Sequence, residues 1–264
     1  MSERRTSMLG ALLATLGPIS MSIYTPAMPE LVQAFGTTES MIKLTLSVYF
    51  GGFSVAQLIA GPMSDAFGRK NATLAFVGIN LLGSLVCAFA PSVEWLLAGR
   101  LIQGVGASVG MTVARAMVRD QFVGAEASRI MNLIGIMLAI GPAMAPTLGG
   151  LALVALGWQA IFFLLIGFGL LAIFAVLVFM RETTIPDRMR VRPGLLLSAY
   201  RELAQDPRFL TAAFVLGGSV GSLYAQSTML AFILIDRVGM TPTAFGMGML
   251  MQTGAISLAQ SVCG

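Results

Sequence analysis

The chain has 264 residues, of which 56% are hydrophobic and only 11% charged, with a mean hydropathy of +0.85. Soluble domains carry about 25% charged residues, so this composition excludes a water-facing globule and calls for lipid as the solvent. The net charge of +4 does not indicate nucleic acid, because the cations fall in short loops between apolar runs, where they encode topology.

Cys87 and Cys263 both lie in apolar runs and build neither a disulfide framework nor a metal site. With no histidine in the chain, the usual neutral-pH proton carrier is missing. Eight stretches approach the roughly 20 mostly apolar residues that a helical span requires: 8–28, 42–62, 72–91, 95–118, 129–153, 159–180, 209–234 and 243–263. The first follows Arg4 and Arg5 and contains Pro18; its uncharged run from Thr6 to Pro29 is long for the core of a cleaved leader and reads as a span. The uncharged run from Ile130 to Met180 exceeds one span, and Gly157 with Trp158 marks its turn, the indole being suited to a membrane interface. Long apolar runs without period-two alternation exclude a transmembrane barrel. The longest polar stretch, 181–208, holds six arginines and is interrupted by Pro186, Pro193 and Pro207. The pattern therefore predicts an all-α membrane protein with a six-helix bundle over 1–180, a basic linker over 181–208 and the first two spans of a second bundle over 209–264.

Placing the N-terminus inside puts 13 of the 16 lysines and arginines on the cytoplasmic side, leaving Lys43, Arg100 and Arg237 toward the outer side or within a span. That asymmetry sets the orientation as N-terminus in. The basic linker then lies along the inner membrane surface, where anionic lipid favours it.

Four motifs carry the chemistry. Between spans two and three runs Gly61-Pro62-Met63-Ser64-Asp65-Ala66-Phe67-Gly68-Arg69-Lys70. Gly61 permits close helix approach, Gly68 permits a tight turn, and Asp65 stands at a helix end beside cations, ready for a breakable charged contact. Span four carries Arg100-Leu101-Ile102-Gln103-Gly104-Val105-Gly106; an arginine inside a span is costly and marks a functional candidate, the alternative being a side chain that snorkels to the nearby outer interface. Gly106 and Gly110 read as a small-residue packing seam. Span five carries Gly141-Pro142-Ala143-Met144-Ala145-Pro146-Thr147-Leu148-Gly149-Gly150. There the prolines bend the helix and the glycines admit a neighbour, as either a hinge or a structural kink. Span one carries Pro18-Ile19-Ser20-Met21-Ser22-Ile23-Tyr24-Thr25-Pro26-Ala27-Met28-Pro29.

The loop motif resembles the signature of the major facilitator superfamily, and the span-four and span-five motifs resemble that family's fourth-helix motif and the antiporter motif of its drug exporters, with Ala145 where glycine is more usual. The span-one stretch is similar to that of the bicyclomycin and chloramphenicol exporters, except that Ser22 occupies the place of their aspartate. The resemblance implies the major facilitator fold of two six-helix halves with substrate between them, of which this chain carries one half and two spans of the next, so that a further C-terminal half is an expected partner. It implies a multi-pass protein of the bacterial inner membrane that exports drugs or other small hydrophobic molecules by proton antiport with rocker-switch alternating access. Asp65, Arg69, Lys70 and Asp120 are then the inner gate, holding the outward-open state and breaking on the inward turn. Arg100 organises the cavity, or couples protons, and Tyr24, Gln103, Asn132 and Met137 line it. Gly61, Gly104, Gly141, Pro142, Pro146, Gly149 and Gly150 serve bending and packing.

No carboxylate sits in the middle of any span; Asp65, Asp120 and Asp236 lie near membrane faces. Proton coupling is thus implied by the resemblance and is not visible in the residues. No phosphate-binding loop indicates ATP, no cofactor is called for, and no nucleophile–base set suggests an enzyme. Two other readings stand: a major facilitator importer of a small metabolite, and a shortened non-transporting membrane protein that acts as a partner subunit.

Overall fold

The computed structural model describes residues 1–251. Among them every regular element is helical. Helix α1 (Glu3–Ser22) is capped by the Ser2 hydroxyl, which accepts from the Arg5 amide at 3.4 Å, and carries Glu3 in its first turn, where a negative charge complements the helix dipole. Pro26 and Pro29 interrupt the chain, giving a 3-10 turn (Thr25–Ala27) and then α2 (Met28–Ala34). Helix α3 (Glu39–Phe67) begins at a Thr38 cap and stops at Gly68, whose φ of 91° a side chain rarely adopts.

Helix α4 (Arg69–Ala88) leads to α5 (Val93–Ala107) and α6 (Val109–Gln121). The single run expected over 95–118 is therefore two helices divided at Ser108, whose hydroxyl donates to the Val105 carbonyl at 2.7 Å. Helix α7 (Gly124–Leu156) ends at Gly157, with φ 79°, and α8 (Gln159–Phe179) follows the expected turn. In the linker lie a 3-10 turn (Arg188–Val191) and α9 (Pro193–Gln205). Helix α10 (Pro207–Ala231) closes in a π-helical turn (Phe232–Arg237). Residues 242–251 are helical; the rest of the expected span 243–263 lies outside the described residues.

Counting α1 with α2, α5 with α6 and α10 with its π turn, seven helical stretches among the described residues are long and apolar enough to cross a membrane. The first six form one bundle, in which α1 packs on α6, α7 and α8, α3 packs on α5, and α4 packs on α5 and α8. One core cluster, at the face carrying α2, joins Tyr24, Met28, Ile42, Leu96 and Phe162. A second, toward the opposite face, joins Leu9, Phe76, Val113, Met117 and Val176. The second face carries Arg69 and the linker and is called the basic face below; the first is the far face. Outward, α8 exposes Phe163, Leu164, Leu170, Leu171 and Phe174. A surface this apolar is stable against lipid tails, since every backbone group is satisfied within the helix.

Small residues set the helix spacing. A Cβ at Gly104 would collide with the Tyr49 carbonyl of α3, one at Gly106 with the Asn80 backbone of α4, and one at Gly110 with the Leu13 carbonyl of α1. Gly106 and Gly110 therefore serve two different neighbours instead of one shared seam, because the break at Ser108 lies between them. At Gly61 a Cβ would make only ordinary contact, 3.4 Å from the Thr112 methyl of α6. Backbone-to-backbone approach of this kind is how helices associate where no hydrophobic force separates them from lipid. Gly106→Leu is expected to cut the yield of monodisperse protein from detergent-solubilised membranes several-fold, as overpacking of about 1–3 kcal/mol implies. Gly78→Leu, where a Cβ meets nothing within 4 Å, is expected to match the parent on the same size-exclusion trace.

Candidate functional site

At the basic face the positive φ of Gly68 turns the chain so that Arg69, the first residue of α4, lies back against the last turn of α3. Its guanidinium pairs with the Asp65 carboxylate and donates from Nη1 to the Ser64 hydroxyl at 2.6 Å. From Nε it reaches Asp120 Oδ2, near the end of α6, at 3.1 Å. One cation thus ties together the ends of α3, α4 and α6. The Arg69 side chain is only 3% exposed, with Asp65 at 19% and Asp120 at 17%, so the contacts are shielded from water and removing one partner leaves a charge without compensation.

Lys70 stands apart from this triad. Its ammonium donates to the Leu177 carbonyl of α8 at 2.9 Å and makes no ion pair among the described residues. In its place the linker contributes groups that sequence reasoning passed over: Arg190 reaches Asp65 Oδ2 at 3.0 Å, Thr183 donates to Asp120 Oδ2 at 3.2 Å, and the Glu182 carboxylate accepts the Arg69 amide at 2.7 Å. The linker arginines suffice as topology signals, and that sufficiency hid the contacts.

The second charged centre is Arg100, fully buried inside the bundle. It does not snorkel to the interface. Its guanidinium carbon lies 4.5 Å from the centre of the Tyr24 ring and 4.3 Å from that of Tyr49, an arrangement in which the ring quadrupoles offset the cost of a desolvated cation. Nη1 donates to the Gln103 side-chain oxygen and to the Ser20 carbonyl at 3.3 Å. Gln103 in turn donates to Ser84 at 2.7 Å, and Asn80 donates to the Gln103 carbonyl at 2.9 Å. Tyr24 is hydrogen-bonded with Thr45 at 2.9 Å, and Tyr49 donates to the Gly17 carbonyl at 3.2 Å. The result is a polar core joining α1, α3, α4 and α5 around one positive charge. No carboxylate is buried with it among the described residues. Tyr24 and Gln103, expected to line the cavity, have no exposed surface and pack around Arg100.

Of the other cavity candidates, Asn132 and Met137 are both exposed on α7. Farther along α7, Gly141 packs on Thr15 and Ile19 of α1, and a Cβ at Gly149 would collide with the Ile23 carbonyl. A Cβ at Gly150 would meet the Pro242 carbonyl, and one at Gly246 would meet the backbone of Pro146 and Thr147. Both prolines of the motif, Pro142 and Pro146, lie inside the continuous helix α7. The motif therefore forms a seam where α7 fits between α1 and the helix starting at 242. Ser22 lies near the Tyr224 hydroxyl of α10, whose ring packs 5.1 Å from that of Phe50. At the far face Phe232 is buried in the core cluster of Tyr24 and Ile42, with Lys43 4.4 Å above its ring. Toward the basic face α10 is exposed along nearly all of residues 207–223. A closed Asp65–Arg69–Asp120 triad and a packed far-face end of α10 thus coexist in one conformation.

A bundle of apolar spans with ionic contacts at one face and a small-residue seam toward the next helices defines a polytopic membrane protein. The chain belongs to the Major Facilitator Superfamily, whose family model matches residues 10–264. It is similar to the MFS-type transporter YdgK of Bacillus subtilis (strain 168), with 33% identity over 237 residues covering 89% of this chain and 59% of that protein. It is 34% identical over 249 residues to a chloramphenicol resistance protein of Pseudomonas aeruginosa, covering 94% of this chain and 57% of that one. With the multidrug resistance protein MdtL of Klebsiella pneumoniae (strain 342) it shares 28% identity over 251 residues, covering 94% of this chain and 63% of that one. The chain thus spans roughly three-fifths of the length of these relatives. In fold it matches the human organic anion transporter MFSD10 (TETRAN) with a TM-score of 0.65 at 20% identity, covering 96% of this chain and 70% of that one. It matches a D-xylose–proton symporter with a TM-score of 0.66 at 12% identity, covering 94% of this chain and 65% of that one.

The cage around Arg100 makes a direct prediction. Gln103→Leu removes the side-chain acceptor from a buried cation and is expected to cost about 2–3 kcal/mol, the scale of a hydrogen bond to a charged group left unmade. Removing the charge as well, in Arg100→Met with Gln103→Leu, is expected to recover most of that loss. Thermal unfolding in detergent micelles reads both, and a double variant less stable than Gln103→Leu alone contradicts the account.

Proposed function

We propose that this chain forms the first half and the opening spans of the second half of a secondary active exporter of small hydrophobic molecules, drugs among them. In this reading export runs by proton antiport with rocker-switch alternating access. The N-terminus and the basic face lie toward the cytoplasm of a bacterial inner membrane, following the lysine and arginine placement. The observation that carries the reading is the shielded Asp65–Arg69–Asp120 triad at the ends of three spans, a contact in which attraction is offset by desolvation and in which the loss of one partner strands a desolvated charge. The α7 seam supports it, because Gly149 and Gly150 admit the end of α1 and the helix from 242 at once, so that one helix meets elements assigned here to both halves. The chloramphenicol and multidrug resistance relatives support the substrate class. A further C-terminal half completes the substrate cavity.

The proposed cycle uses Asp65, Arg69 and Asp120 as the inner gate, with Lys70 anchoring α4 to α8. Arg100 holds the first-half wall of the cavity in shape through Tyr24 and Gln103, while Asn132 and Met137 offer side chains to substrate. Because Ser22 stands where related exporters carry an aspartate, the proton-accepting group lies elsewhere in the complete transporter.

Everted membrane vesicles test this directly. Chloramphenicol is expected to accumulate in vesicles bearing the chain joined to its C-terminal half when the interior is acidified, and a protonophore is expected to abolish the accumulation. Uptake by intact cells that rises with expression would contradict export. Asp65→Asn is expected to lower vesicle transport at least about ten-fold, the factor attached to about 1.4 kcal/mol, with membrane insertion unchanged by immunoblot. Undiminished transport removes the gate. Ser22→Asp adds a carboxylate beside Tyr224 and is expected to displace the pH profile of transport; a profile superimposable on the parent's places coupling away from the first span.

A further inference from the structure

The linker between α8 and α10 is tied to the triad more closely than a flexible tether needs to be. Helix α4 opens badly by its own residues. Its N-cap is Gly68, which has no side chain to cap with, and its first two residues are Arg69 and Lys70. Free amides at a helix N-terminus need acceptors, and positive side chains there oppose the helix dipole. Glu182, more than a hundred residues along the chain, supplies both corrections. Its two carboxylate oxygens accept the Arg69 amide at 2.7 Å and the Lys70 amide at 3.2 Å, and its charge sits where the dipole favours an anion.

The next residue continues the contact. Thr183 donates to the same Asp120 oxygen that receives Arg69 Nε. The Asp187 amide then donates to the Asp65 backbone carbonyl at 3.1 Å, and Arg190 reaches the Asp65 side chain. Farther on, the Tyr200 hydroxyl of α9 donates to the Leu58 carbonyl of α3. Leu58 lies four residues before Pro62, which has no N–H to give it. A proline within a membrane helix frees a carbonyl that another group must satisfy, and Tyr200 satisfies this one. The linker therefore grips the loop motif at two chemically distinct points: the uncapped start of α4 and the proline-freed carbonyl of α3.

We propose that residues 182–200 are a strap that sets the inner gate, with Glu182 positioning Arg69 for its two carboxylates and Tyr200 fastening the strap to α3. This inference rests on the gate reading of the triad. It adds the route by which the second half acts on it. The strap runs directly into α10 at Pro207, so displacement of α10 pulls on Glu182 and Arg190, and through them on Arg69 and Asp65. The triad itself lies within one bundle and needs such a connection to feel the other half.

Hydrogen exchange of the whole chain in lipid nanodiscs tests the strap without requiring transport. Glu182→Ala is expected to speed exchange at the Arg69 and Lys70 amides at least about ten-fold, the factor that one charge-assisted hydrogen bond carries. It is also expected to speed exchange across residues 119–122, because Arg69 loses its register with Asp120. Glu182→Gln, which keeps an acceptor and loses the charge, is expected to fall between parent and Glu182→Ala. Tyr200→Phe is expected to loosen the α3 amides around Pro62. Glu182→Ala combined with Asp120→Asn should exchange at residues 119–122 no faster than the faster single variant, as one linked network requires. Parent-like protection of Arg69 and Lys70 in both Glu182 variants overturns the strap, as does an effect confined to those two amides. Failure of the gate reading shows separately, as undiminished vesicle transport by Asp65→Asn.

Discussion

The structure depends on one guanidinium. Arg69 is nearly sealed from water, and its two carboxylate partners arrive from different helices, one a turn earlier in the chain and one fifty-one residues later. A charge buried this way is tolerated only while its partners stay in place, so the ends of α3, α4 and α6 are held in a single arrangement. The packing above them fits that arrangement. The glycines of α5 and α6 set backbone contacts with α3, α4 and α1 that admit no side chain, so the bundle is rigid where the ionic contacts need it to be. Close packing in the bundle and an ionic contact at its face support one another: the first gives the second a fixed geometry, and the second ties three helix ends together.

Arg100 is the counterpart within the membrane. It is compensated by two tyrosine rings, a glutamine and a backbone carbonyl, and no buried carboxylate stands beside it among the described residues. This keeps the interior of the first half positively charged. Together with Ser22 in the first span it fixes the electrostatic character of that half, which offers hydrogen bonds and apolar surface but no anion at mid-membrane. In the proposed exporter the proton-accepting group is therefore asked of the second half or of the carboxylates at the faces.

Much of this was legible in the sequence because membrane folds advertise themselves by length and charge. Among the described residues the first seven expected spans each meet an observed helical stretch with ends differing by at most about six residues, and the excess in α3 comes from the cap at Thr38 and the stop at Gly68. The Asp65–Arg69 contact was legible as a carboxylate at a helix end beside cations, and Asp120 through the resemblance. Three features were not legible, for reasons of geometry. Apolar runs give a residue's depth but not the direction it faces, so the enclosure of Arg100 by Tyr24, Tyr49 and Gln103 is not visible in the sequence. The break at Ser108 leaves no mark in hydropathy, and it sends Gly106 and Gly110 to different neighbours. Glu182 and Tyr200 sit in a polar linker where charge already has an explanation, and their partners lie more than a hundred residues away in sequence.

The central claim is that one cation binds two carboxylates into a single closed unit at the basic face. A double-mutant cycle measures it most directly: Arg69→Met, Asp120→Asn and the pair together, each compared with the parent by thermal unfolding in detergent micelles. The account predicts strong sub-additivity, with the pair no less stable than Asp120→Asn alone, since removing the cation relieves the charge that losing Asp120 leaves exposed to its apolar surroundings. Losses that simply add would show the two residues to be independent and would contradict it.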